Sequence, residues 1–214
     1  MKRLLILVAG LMLCPGLAGA ATVEETVAQL QKDWAIAKYE TPDKDREQVF
    51  EKLTRAAEAA VTAHPGRAEP LIWQAIIVSS DAGENGGFSA LGKVKKARDL
   101  LLEAEKINAH ALDGSVYTSL GSLYYQVPGW PLGFGDDVKA EGYLKRALSI
   151  NPDGIDPNFF YGDFLREAGR HKEAVQYLEK ALKAPPRPDR PLADKGRHTE
   201  VERALAEVKQ ELGG

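Results

Sequence analysis

The order of residues between Asn158 and Pro186 constrains this chain more than any other feature. Tyr161-Gly162 is followed by Leu165, Gly169, Ala174, Leu178, Ala181 and Pro186, so large and small side chains alternate at helical spacing. Gly162 and Ala174 let two helices approach closely, Ala181 leaves room for the next pair, and Leu165 and Leu178 fill the seam. The same order occurs upstream, with Tyr117, Leu120-Gly121 and Tyr124 followed by Ala140, Leu144, Ala147 and Pro152. A more divergent copy places Leu71, Ala75 and Val78 before Ala97, Leu101 and Ala104. Repetition of this kind implies stacked units, each needing its neighbours to bury its apolar face.

The pattern resembles the tetratricopeptide repeat, whose period is about 34 residues. Apolar residues recur at intervals of three and four, and strand-like alternation is rare, so the chain is expected to be all-α. The resemblance implies a solenoid of helix-turn-helix hairpins whose first helices line a concave face. Gly162 and Ala174 are 12 residues apart, whereas Gly121 and Ala140 are 19 apart and Ala75 and Ala97 are 22 apart. Seven extra residues therefore enter one hairpin turn and ten enter another, around Asp81 to Gly92. Both insertions are expected to form long inter-helix loops, and LGKVKKA (Leu91 to Ala97) aligns with FGDDVKA (Phe134 to Ala140).

The divisions expected are a signal peptide over 1–20, a degenerate hairpin over 21–67, three repeats over 68–186 and a capping helix over 187–214. The degenerate hairpin has helices near Val23 to Tyr39 and Lys44 to Ala63, ended by His64-Pro65. The last helix, near Leu192 to Leu212, follows a joint containing Pro185, Pro186, Pro188 and Pro191. Its many charges suit a terminal cap over the exposed end of a solenoid.

Lys2-Arg3, the apolar run Leu4 to Leu13 and the small residues Ala18-Gly19-Ala20 form a secretory signal, with Ala21 as the new N-terminus. The run is shorter than the roughly 20 residues that span a bilayer. Leu13 precedes Cys14 where a lipidation signal wants a small residue, so no lipid anchor is expected. Periplasmic location follows, with secretion as the alternative. The chain beyond Ala20 has no cysteine, which excludes disulfides, thiolate metal sites and thiol nucleophiles. Removing Lys2 and Arg3 from the 28 basic side chains leaves 26 against 31 acidic, a formal charge of −5. These charges are interspersed, and no basic stripe exists for nucleic acid.

The signal, the insertions and the block VPGWPLGFGDD…INPDGIDPNFFYGDFL also look like exported bacterial tetratricopeptide proteins. Those are distantly similar to the T component of TRAP-type solute transporters. That second resemblance implies a periplasmic accessory protein and assigns no residue a role.

Catalytic patterns are missing. Gly87-Phe88-Ser89-Ala90-Leu91 fails the nucleophile elbow at its last position. His64, His110, His171 and His198 lack the i, i+4 pairing of a helical zinc site and read as surface or capping residues. Asp136-Asp137 reads as a helix cap rather than a metal or acid–base pair. The stretch Asn151 to Asp156 lacks calcium-loop spacing, and Asp156 before Pro157 reads as a helix start. No catalytic residue, metal or cofactor is therefore expected.

The expected function is binding. The repeat register puts Ile72, Ile76 and Ser79, then Thr118, Ser122 and Tyr125, then Phe159, Asp163 and Arg166 on the concave face. That mixed stripe suits an extended peptide or helix, with Ile72 and Phe159 also readable as core. A protein or peptide of the cell envelope is the expected partner, and a small molecule held by a transporter accessory is the alternative. Trp130 and Phe134 lie in the loop QVPGWPLGFGDDVKA. They read either as a plug for the gap that the insertion opens or as ligand contacts, with Trp130 walling one end of a groove formed by Tyr125 and Phe159.

Overall fold

The computed structural model describes residues 21–85 and 87–213. The expected signal peptide lies outside the described residues. Within them the chain forms α1 (Val23–Tyr39), α2 (Asp43–Ala63), α3 (Ala68–Asn85), α4 (Gly87–Asn108), α5 (Ala111–Gln126), α6 (Asp137–Ile150), α7 (Ile155–Glu167), α8 (His171–Leu182) and α9 (Pro191–Gly213). Neighbouring helices pack as successive antiparallel hairpins, as the repeat requires.

Local chemistry fixes the starts of several helices. Thr22 and Glu25 form a capping box, each side chain accepting from the other's backbone N–H at 3.2 and 2.9 Å. Asp136 accepts from Lys139 N–H at 3.0 Å and so opens α6, as the capping reading expected. The segment before the regular part of α5 is a left-handed turn, with φ of 52°, 54° and 75° at Leu112, Asp113 and Gly114. A Cβ on Gly114 would lie 3.0 Å from Ile150 Cδ1, so glycine here serves both the backbone and the packing.

The seams confirm the repeat register. A Cβ placed on Gly162 would lie 2.8 Å from Leu178 Cγ and 3.2 Å from the Leu178 backbone N. One placed on Gly121 would lie 3.2 Å from the Leu144 backbone N, so the same glycine–leucine contact recurs one hairpin earlier. Ala97, Leu101, Ala140, Leu144, Leu165, Ala174 and Leu178 are all fully buried. Two apolar clusters result, one running from α3 through α9 and one joining α1 and α2 to Trp73 and Ile77 of α3 and Ala193 of α9.

Two expectations are corrected here. The ten-residue insertion between α3 and α4 is not a long loop. It lengthens both helices, which reach Asn85 and resume at Gly87. Its apolar pattern continues the helical period, with Ala82 buried, and Lys93 Nζ reaches across to Asp81 Oδ2 at 2.7 Å. Measured from the seam positions, α3 gains five residues over α7 and α4 gains seven over α8, roughly one and a half to two turns each.

The last helix, α9, is also more than a polar cap. Ala193, Asp194, Arg197, Val201, Ala204, Leu205 and Val208 form its buried stripe. It packs on α8 and α7, and it also meets α1. Gly196 lies so close under the Tyr39 ring that no Cβ would fit, and Tyr39 Oη donates to Glu200 at 3.4 Å. The first and last helices therefore touch, and the solenoid closes around its concave side.

Candidate partner-binding groove

That concave side encloses a groove of about 1420 Å³. Its walls come mostly from α1, α3, α5, α7 and α9, the inner helices of the successive hairpins. Of the residues that the register placed there, Ile76, Ser79, Thr118, Ser122, Phe159, Asp163 and Arg166 line it. Ile72 does not, because it is fully buried in the core. Tyr125 stands just outside, bordering a smaller hollow beside the loop, and its hydroxyl donates to Asp163 at 2.6 Å. Burial, with the Asp163 charge beside it, raises the Tyr125 phenol well above its ordinary value, so it stays a neutral donor. Asp163 in turn accepts from Arg166 Nη2 at 2.8 Å. These three residues form a fixed polar wall rather than independent contacts.

The loop after α5 differs from expectation. Trp130 is 90% exposed and does not border the groove. Leu132 and Gly133 both donate backbone N–H to Gly129 O at 3.1 Å, a tight turn that throws the Trp130 ring outward. The plug is Phe134 instead. Its ring meets Tyr124 edge-on at 5.4 Å, and the Arg98 guanidinium lies 4.6 Å from its centre. The loop does flank the groove, but through Val127, Pro128 and Leu132.

The opposite end of the groove was not anticipated. Trp34, Tyr39, Trp73, Phe159 and Phe160 give it an aromatic floor, and Arg187, Arg190 and Arg197 form its rim. Asp156 ties the rim together, accepting from Arg187 Nη1 at 2.7 Å and Arg197 Nε at 2.9 Å. Burial alone would raise its carboxyl, yet Arg197, Arg187 and Arg190 hold it well below the usual carboxylate range. Asp156 is therefore an ion-pair hub as well as a first-turn residue of α7, which begins one residue before the expected start, at Ile155 with Gly154 as its cap. Arg197 also lies 4.6 and 4.7 Å from the ring centres of Phe159 and Phe160. The sequence signal for this rim was the Arg-Pro-Asp-Arg-Pro stretch, Arg187 to Pro191, read there only as part of a proline-rich joint. Only the meeting of α1 with α9 reveals what it faces.

Residues 155–188 match the tetratricopeptide repeat family. No curated protein matches the chain. Among solved structures it is similar to a thermophilic TPR protein of Thermus thermophilus, at 15% identity over 86% of this chain and 100% of that one, with a TM-score of 0.57. MamA is 18% identical over 79% of this chain and 93% of its own, with a TM-score of 0.45. Pseudomonas aeruginosa pilF is 15% identical over 89% and 91%, with a TM-score of 0.35. With a repeat of this family at 155–188 and the same glycine–leucine seam one hairpin earlier, the chain folds as an all-α tetratricopeptide solenoid.

Proposed function

We propose that this chain is an exported scaffold whose concave groove receives a segment of a protein partner in the cell envelope. The observation that carries the reading is the groove itself. At about 1420 Å³ it exceeds the roughly 300–1,000 Å³ of pockets that hold small ligands. A stretch of peptide or a short helix fits that space, with aromatic anchors at one end and hydrogen-bonding side chains along the middle. Stacked hairpins present such a surface with little reorganisation, which limits the ordering cost of binding. Export rests on the Lys2-Arg3 start, the short apolar run and the Ala18-Gly19-Ala20 site. Among the described residues no helix is long and apolar enough to cross a membrane.

The test is capture of partners from the producing cell's envelope extract with the tagged protein, beside a variant carrying Ser122→Arg. Ser122 lies in the groove wall, so the added side chain fills the binding space without touching the Gly121–Leu144 seam. Partners retained by the parent should be lost from the variant while its melting temperature holds. Equal capture by both would remove the groove from the function. N-terminal sequencing of the exported protein should begin at Ala21; a start at a lipidated Cys14 would overturn both that cleavage site and the absence of a lipid anchor.

A further inference from the structure

The rim of the groove holds three arginines, and their acidic partners are unevenly shared. Asp156 spends one oxygen on Arg187 and the other on Arg197. Asp194 accepts from Arg187 Nε at 2.6 Å and from the Arg187 backbone N–H at 2.7 Å. Glu200 accepts from Arg197 Nη1 at 2.6 Å and from Tyr39. Arg190, between them, has no side-chain hydrogen bond or ion pair to any described residue, and its Nε is buried without a partner. Its sequence neighbour Asp189 is exposed and does not bond it. The guanidinium instead lies 5.2 Å from the centre of the Trp73 ring, which is 3% exposed on the groove floor.

A guanidinium in that position is costly. Burial, with the Arg187 charge beside it, pulls Arg190 below the ordinary arginine value, yet it remains charged at any physiological pH. The Trp73 face offsets part of the lost hydration but offers no acceptor to the N–H groups. A planar oxyanion entering the groove can take two of those donors at once.

We propose that Arg190 and Trp73 form a subsite for a carboxylate carried by the segment that occupies the groove. This rests on the groove being a peptide site. Asp156, Asp194 and Glu200 balance the charges of the three rim arginines, so what Arg190 offers is a fork of N–H donors without an acceptor. A planar carboxylate fills that fork with a single negative charge, whereas a phosphate monoester brings about −1.5 to −2. Arg203, the other lining arginine without an ion pair among the described residues, is exposed and screened by solvent. The carboxylate comes either from an aspartate or glutamate side chain or from the free C-terminus of the partner. Trp73, beneath the guanidinium, holds the fork in one plane and keeps water from its lower face.

Random-peptide display on the full chain tests this, with one library presenting free C-termini and a second presenting blocked ends. The parent should enrich an acidic residue or a free terminus at least tenfold at one fixed distance from apolar anchors. R190Q should keep the apolar anchors and lose that enrichment, and R190K, which keeps the charge but not the fork, should retain a weakened form. Enrichment confined to the free-end library identifies a terminal carboxylate; enrichment in both identifies a side chain. Apolar anchors without acidic preference on the parent, or equal preference on R190Q, would overturn the subsite and leave the groove reading standing. Displacement of the selected peptides by inorganic phosphate in preference to acetate would overturn the choice of carboxylate. If the parent selects no peptide beyond the Ser122→Arg variant, both readings fail together.

Discussion

Two insertions entered equivalent turns of this solenoid and folded in opposite ways. The segment between α3 and α4 became helix, while the segment after α5 became a tight loop. The first carries Gly83, Gly86 and Gly87 but no proline, and its apolar residues keep the helical period through Ala82 and Leu91. The second carries Pro128 and Pro131, and each removes a backbone donor that a helix would need. Glycine weakens a helix by about 1 kcal/mol, while proline in its interior costs about 3 kcal/mol. The difference in breaker strength decides the outcome. One insertion raises a wall along the groove; the other sets a stiff lip beside it and displays Trp130 on the far side.

The largest effect should come from the loop's base. Gly135 sits against the Val127 carbonyl with no room for a Cβ, and the Pro128 carbonyl carbon would be 3.0 Å away. Gly135→Val should therefore destabilise the protein by roughly 1–3 kcal/mol in a denaturant melt. An unchanged midpoint would mean that the loop is not fixed at its base. The helical insertion should respond in the opposite direction. Nothing lies within 4 Å of a Cβ on Gly83, so Gly83→Ala should stabilise by about 0.4–1 kcal/mol. Destabilisation there would show that the extension is not helical in solution.

A smaller effect concerns how the looped hairpin is tied to the next one. Glu141, one turn into α6, accepts from Arg170 at 2.8 Å and from Tyr161 at 3.1 Å. Its hydrogen bonds from Arg170 and Lys145 lower its carboxyl to about 2. A depressed carboxylate contributes stability above its unfolded value of about 4.3, and that contribution is lost as pH falls towards the folded value. Glu141→Gln should thus melt below the parent at pH 6, and the two curves should converge between about pH 4 and 2. A constant gap across that window would remove Glu141 from the acid response.

The smallest effect on stability should be Trp130→Ala. A ring that is 90% exposed leaves no cavity, so the change should stay within about 0.5 kcal/mol. Phe134→Ala, which removes the contacts with Tyr124 and Arg98, should cost more. Equal melting temperatures for these two variants would restore Trp130 as a plug.

Much of the fold was legible because helices and hairpin seams are local. The period of three and four residues, the cap at Asp136 and the glycine–leucine contacts at Gly121 and Gly162 depend on neighbours within one hairpin. The stripe from Ile76 to Arg166 followed from the same register. Trp130 was misplaced because proline and glycine spacing marks a turn without saying which way its apex points. Phe134 and Trp130 are four residues apart and face opposite environments.

What the sequence determined by itself was the all-α class, the stacking of hairpins and the residues at their seams, since each follows from side-chain size and helical period. Only the tertiary structure decided that α9 reaches back to α1 and that Arg190 lies over Trp73 without an ion pair to any described residue. Those facts depend on where residues more than a hundred positions apart come together. Small rotations accumulated over the stacked hairpins set that distance, and no local pattern encodes their sum.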